Sequence, residues 1–162
     1  MTDVLPLLQE FYTEKLVSVL RHQAAARHVT QYDANNAYQY IVNREEVQLS
    51  WLSSAIAELQ GSVDGTSAEP SREPPGKGAA RARTLFEEDA RDAQAFVDRW
   101  RPRVEMMKNA RQRGMLRVIL GETLEQKRTF EQALAGRTDL LGRRSEQASP
   151  STGEVLSTRW IE

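Results

Sequence analysis

The stretch REEVQLSWLSSAIAELQG, residues 44–61, repeats apolar side chains at helical spacing and carries a glutamate, Glu45, inside the repeat. A carboxylate on an apolar face has three uses: it binds a metal, exchanges a proton, or closes a buried polar network. On a wheel of about 100° per residue, Ala34, Tyr38, Ile41, Leu49, Leu52, Ile56 and Leu59 share the face of Glu45, and Gln48 lies beside it. A later stretch, residues 116–134, gives the stripe Leu116, Ile119, Thr123, Gln126, Phe130 and Leu134. There Glu122 falls at the edge and Glu125 points away. Between Val4 and Leu20 the apolar face centres on Leu5, Tyr12, Leu16 and Val19, with Glu10 and Glu14 nearly opposite. Asp89 shares a stripe with Leu85, Phe96 and Trp100, near the start of its helix, and Asp98 faces away.

One central carboxylate is too little acid for a pair of divalent cations, because amides and hydroxyls are weak neutral ligands. The expectation is therefore a buried polar network of Glu45, Gln48, Thr123, Gln126, Tyr12 and Lys15. An ionised Glu45 needs a cation, and Lys15, Arg103 and Lys127 are the candidates. A protonated Glu45 is the alternative.

Other chemistries find less support. There is no cysteine, which excludes disulfides and thiolate metal sites. The two histidines, His22 and His28, are six residues apart and do not project together as a helical i, i+4 pair does. No Ser-His-Asp grouping and no glycine-rich phosphate loop is present. Residues 99–117 hold seven Lys or Arg and one acid, a block of net +6 in a chain of net charge -1. With a single Trp and no stacking platform, this block reads as a solvated face, and nucleic acid is not an expected partner. Met106 and Met107 read as core filler.

The elements that position these residues read as helices throughout. The first is expected over about 1–28 and the second over about 34–59, with Asp33 as its N-cap and Gly61 as its stop. The stretch GSVDGTSAEPSREPPGKGAA has three prolines, four glycines and little that is apolar, which makes a long linker over about 61–82. A third helix is expected from an N-cap at Thr84, with Pro102 kinking or breaking it. The fourth is expected over about 115–135. No run is long and apolar enough to span a bilayer. MTDVLPLLQEFYTEK has no basic stretch ahead of its apolar residues, so a secretory signal is not expected and the default location is cytoplasmic.

The second and fourth helices align without gaps, Glu45–Ala57 on Thr123–Ala135, with Gln48 on Gln126, Leu52 on Phe130 and Ala55 on Ala133. Two helical hairpins joined by one long connection form the single-crossover variety of four-helix bundle. At REEVQLSWLSSAIAEL and GETLEQKRTFEQAL the chain resembles the ferritin-like superfamily, in particular its small rubrerythrin-like members. The resemblance covers residues 3–136. It implies a di-metal centre built from Glu-x-x-His pairs on helices two and four, with one more carboxylate from each of helices one and three. Carried onto this chain, those pairs are Glu45 with Gln48 and Thr123 with Gln126, so both histidine positions are glutamine.

The fold class that follows is all-α, a ferritin-like four-helix bundle over 1–137 with one long crossover between helices two and three. A tail over 138–162 is expected to dock in part through Trp160 and Ile161. The expected function is a non-catalytic interaction or scaffold protein, metal-free and homodimeric. The first alternative is a di-iron or di-manganese protein handling oxidation, peroxide or iron, using Glu45 with Glu14, Glu122 and Glu125. The second is a polyanion-binding protein that uses block 99–117.

Overall fold

Apolar residues at helical spacing need a partner surface, and four amphipathic helices provide one for each other. The computed structural model describes residues 4–67 and 70–141, so Trp160, Ile161 and the rest of the tail lie outside the described residues. Four helices form: α1 (Val4–Ala26), α2 (Tyr32–Glu58), α3 (Ala79–Glu105) and α4 (Ala110–Leu134). There is no strand among the described residues, and no described helix is long and apolar enough to cross a membrane.

α1 packs on α2, α3 packs on α4, and α2 meets α4. Side-chain pairs set the directions. Glu10 pairs with Arg103, Glu14 with Arg99 and Arg21 with Asp92, so α1 and α3 are antiparallel. Arg44 pairs with Glu122 and Glu58 with Arg111, so α2 and α4 are antiparallel as well.

Several helix ends differ from the sequence expectation. α2 is capped by Gln31, whose side chain accepts from the Ala34 amide, and Asp33 falls inside the first turn. α3 starts at Ala79, five residues ahead of Thr84, with Gly78 as its N-cap. Ala82 and Leu85 are buried, so tertiary packing holds this first turn where the local sequence signals no start. α3 also runs through Pro102 to Glu105. Pro102 removes the backbone donor that would meet Asp98 O, and the helix ends within a turn of it. α4 starts at Ala110, capped by the Asn109 side chain on the Gln112 amide, ahead of the expected Met115. α2 ends in a Schellman pair, Gly61 N–H to Ile56 O and Gln60 N–H to Ala57 O. Gln60, with φ +64°, takes the left-handed position. A Cβ at Gly61 would stand 2.4 Å from Leu5 Cδ1 and would have to push that side chain aside. Leu59, placed on the buried stripe by the wheel, is exposed.

The core divides into two apolar clusters. One gathers Leu8, Phe11, Leu16, Leu52, Ile56, Trp100, Leu116 and Ile119. The other gathers Ala25, Val29, Tyr38, Ile41, Leu85, Phe86 and Phe130. Between them in every helix lie buried polar residues: Lys15 and His22 on α1, Glu45 and Gln48 on α2, Asp89 on α3, Thr123 and Gln126 on α4. The bundle is therefore apolar at both ends of its core and charged across its middle.

Candidate functional site

Glu45 is fully buried and occupies the centre of this polar layer. Its Oε2 receives Lys15 Nζ at 3.0 Å and the Ser18 hydroxyl at 3.0 Å. Its Oε1 lies 2.5 Å from His22 Nδ1. That distance to an ionised carboxylate requires Nδ1 to carry a proton. His22 Nε2 then points toward Asp89, whose Oδ1 is 4.0 Å away. Asp89 is also buried and is held by Tyr38 O–H at 2.5 Å and by Arg72 Nη1 at 2.8 Å. The chain of contacts reads Lys15, Glu45, His22, Asp89, Arg72, with two acids alternating between three bases.

Arg72 comes from the proline-rich segment between α2 and α3. Only 6% of it is exposed, and Nη1 also donates to the Arg21 carbonyl at 3.0 Å. A stretch that reads as a solvated linker thus contributes a buried cation. Glu88 reaches Arg72 from the rim at 3.7 Å.

Burial alone would neutralise these groups, but their mutual field reverses the effect. Desolvation is the largest influence on Glu45 and pushes its pKa up, yet His22 and Lys15 together bring it down to about 2. Desolvation works against charged His22 too, but Glu45 and then Asp89 raise its pKa above the ordinary value. Burial, followed by Asp89, lifts the Tyr38 phenol well above its usual range and keeps it a donor.

The pH dependence follows from these directions. The folded pKa of His22 is raised, so its contribution is complete below about 6.5 and is lost as pH rises through the folded value. That of Glu45 is depressed, so its contribution is present above about 4.5 and is lost as pH falls toward 2. The groups facing His22 are Lys15 from α1, Glu45 and Tyr38 from α2, Asp89 from α3, and the uncharged Phe130 ring from α4. Urea midpoints are expected to be higher at about pH 5.5 than at about pH 8.5, and His22→Gln is expected to remove most of that difference.

The remaining residues singled out in the sequence are placed differently. Gln48 is buried beside Glu45 with neither amide atom partnered, and Gln126 Nε2 is also unpartnered. The Thr123 hydroxyl donates to Ile119 O within its own helix. Tyr12 packs in the first apolar cluster. Of the other candidate cations, Arg103 pairs with Glu10 and stacks 4.2 Å over Trp100, while Lys127 pairs with Glu131. The carboxylates of the di-metal alternative do not come together: Glu14 is turned to Arg99, Glu122 to Arg44, and Glu125 is exposed. Among the described residues, no group of three His, Cys, Asp or Glu could hold a metal ion. Glu45, His22 and Asp89 are neighbours, but the imidazole lies between the two carboxylates and keeps them from converging. The donor set therefore does not fit a di-metal centre. In the basic block, Arg99, Arg103, Arg111 and Arg117 are each matched by an acid.

Sequence reasoning treated His22 only as one of two histidines that do not project together, and it overlooked Arg72 and Ser18. The signal available for Arg72 was weak, a lone arginine in a segment of glycine and proline.

Fold and site together define an all-α four-helix bundle whose middle layer is a buried charge relay. Compared with protein-family models, curated proteins and solved structures, the chain matches none.

Proposed function

We propose that this chain is a ferritin-like bundle in which side-chain cations have taken over the place of the metals, and that it works as a metal-independent binding or scaffold module. The observation that carries the reading is the 3.0 Å contact of Lys15 Nζ with Glu45 at the mid-bundle level. A second observation supports the ancestry. α1 is antiparallel to α2, with Leu5 beside Gly61, Lys15 on Glu45 and Ala26 O on Asn35, and also to α3, so α2 and α3 run the same way and the residues between them travel the length of the bundle. Parallel α2 and α3 are what a single-crossover bundle requires, which supports this reading. The glutamines at the two histidine positions, Gln48 and Gln126, fall in the same layer as Glu45.

The test is a pair of denaturant melts with and without added iron or manganese, alongside metal analysis of protein purified without chelator. Wild type is expected to melt at the same denaturant concentration in both conditions and to carry far less than one equivalent of metal. A midpoint that rises with metal in wild type but not in Glu45→Gln overturns the reading, because ligand binding to the folded state must stabilise it.

As part of the same reading, the chain forms a homodimer through the α2–α4 face. Tyr40, Val47 and Val118 are exposed there at 58%, 39% and 50%, beside the Arg44–Glu122 pair. Light scattering is expected to give twice the chain mass, and Val118→Glu to give the monomer mass. A monomeric wild type removes this part.

A further inference from the structure

Beside the charged layer, between α1 and α3, lies a partly open cavity of about 370 Å³. Phe96, Val17 and Ala93 form apolar parts of its wall, and His22, Thr123 and Gln126 form polar parts. The last three are each more than nine-tenths buried. This space lies next to a buried imidazole.

Two features make this space a built site. Gln126 is buried, and its Nε2 has no hydrogen-bond partner. A buried amide donor left unmade costs about 1–3 kcal/mol, so an acceptor arriving from the cavity gains what the protein lacks. Gln126 lines the cavity, and rotation of its terminal amide exchanges the positions of its donor and its acceptor. The second feature is His22 Nε2, which is 4.0 Å from Asp89, too long for a hydrogen bond, while Nδ1 is already committed to Glu45.

Charge selects among the possible acceptors. Every acid of the lining is already engaged by an arginine: Asp92 by Arg21 at 2.8 Å, Glu14 by Arg99, and Asp89 by Arg72 at 2.8 Å. Within the buried layer Lys15, His22 and Arg72 face two carboxylates, Glu45 and Asp89. Glu88, the nearest further acid, sits at the rim and does not line the cavity. The layer has room for one more negative charge, and the lining around it has an apolar surface.

We propose that this cavity binds a small organic carboxylate with a short apolar body, its carboxylate oxygens accepting from His22 Nε2 and Gln126 and its body lying against Phe96 and Val17. This is independent of the ferritin-like ancestry and of metal content, which the melts with iron or manganese test separately.

The probe is butyrate, with neutral butyramide as its near-isostere, titrated into the 15N-labelled full-length chain and followed by NMR. Butyrate is expected to give saturable shifts at the Gln126 side-chain amide and the His22 ring. Butyramide is expected to bind at least about tenfold more weakly. Gln126→Leu removes the amide. Ala95→Trp, at an exposed position in the lining, blocks the cavity without touching the core. Each variant is expected to weaken butyrate at least about tenfold. Absence of saturable shifts in wild type, equal affinity for butyramide, or unchanged affinity in Ala95→Trp overturns the proposal. Should Gln126→Leu fail to fold, Ala95→Trp and the butyramide comparison decide it.

Discussion

Glu45→Ala is expected to lower the free energy of unfolding by about 3–5 kcal/mol, the cost of breaking a buried ion pair from one side. The reason lies in what remains. Lys15 Nζ, 1% exposed, loses its only acidic neighbour, and His22 Nδ1–H loses its acceptor. Glu45→Gln keeps the shape and one acceptor oxygen, so it is expected to cost less. The double variant Lys15→Met, Glu45→Leu is expected to recover part of the loss, since a buried pair and well-packed apolar side chains are often close in stability. Urea melts of wild type, Lys15→Met, Glu45→Leu and the double variant form a double-mutant cycle that isolates the pair. Additive losses would show that Lys15 and Glu45 do not act together.

Arg72→Ala is expected to cost about 3 kcal/mol, far more than a substitution in a solvated loop, which stays within about 0.5 kcal/mol. It strips Asp89 of its arginine and leaves that carboxylate to Tyr38 and to distant His22. It also removes the hydrogen bond to Arg21 O that ties the connecting segment to α1. Arg72→Lys keeps the charge but not the guanidinium, whose Nη1 serves both Asp89 and Arg21 O while Nη2 faces Glu88, so it is expected to recover only part of the loss. Amide exchange separates the two roles. Faster exchange confined to residues 70–78 means the arginine pins the segment, whereas faster exchange throughout α3 means it supports the core. A change of less than about 0.5 kcal/mol would remove Arg72 from the network.

The sequence carries the helices because their information is local. Apolar spacing near 3.6 residues makes a stripe wherever it occurs, so the burial of Tyr38, Ile41, Leu52 and Phe130 follows from their own segments. The same argument puts Glu45, Gln48, Thr123 and Gln126 on buried faces, and all four are buried. Helix starts were less legible. Gly78 offers no side chain to cap α3, and the burial of Ala82 and Leu85 helps to hold its first turn.

Which polar groups meet was a matter for the tertiary structure. A wheel gives the direction of a side chain but not its height against a neighbouring helix, so the contact of Lys15 and His22 with the two oxygens of Glu45 depends on the axial register of α1 against α2. Arg72 had no periodicity to mark it. It is buried because residues outside any helix pass close to Asp89, and a carboxylate placed in an apolar interior attracts the nearest cation the chain can deliver. Local spacing determined most of which faces turn inward in this protein, with Leu59 an exception. The pairing of charges inside was decided only when four helices and one connecting segment came within a few ångströms, where Coulomb energy in a poorly screened interior outweighs the cost of burial.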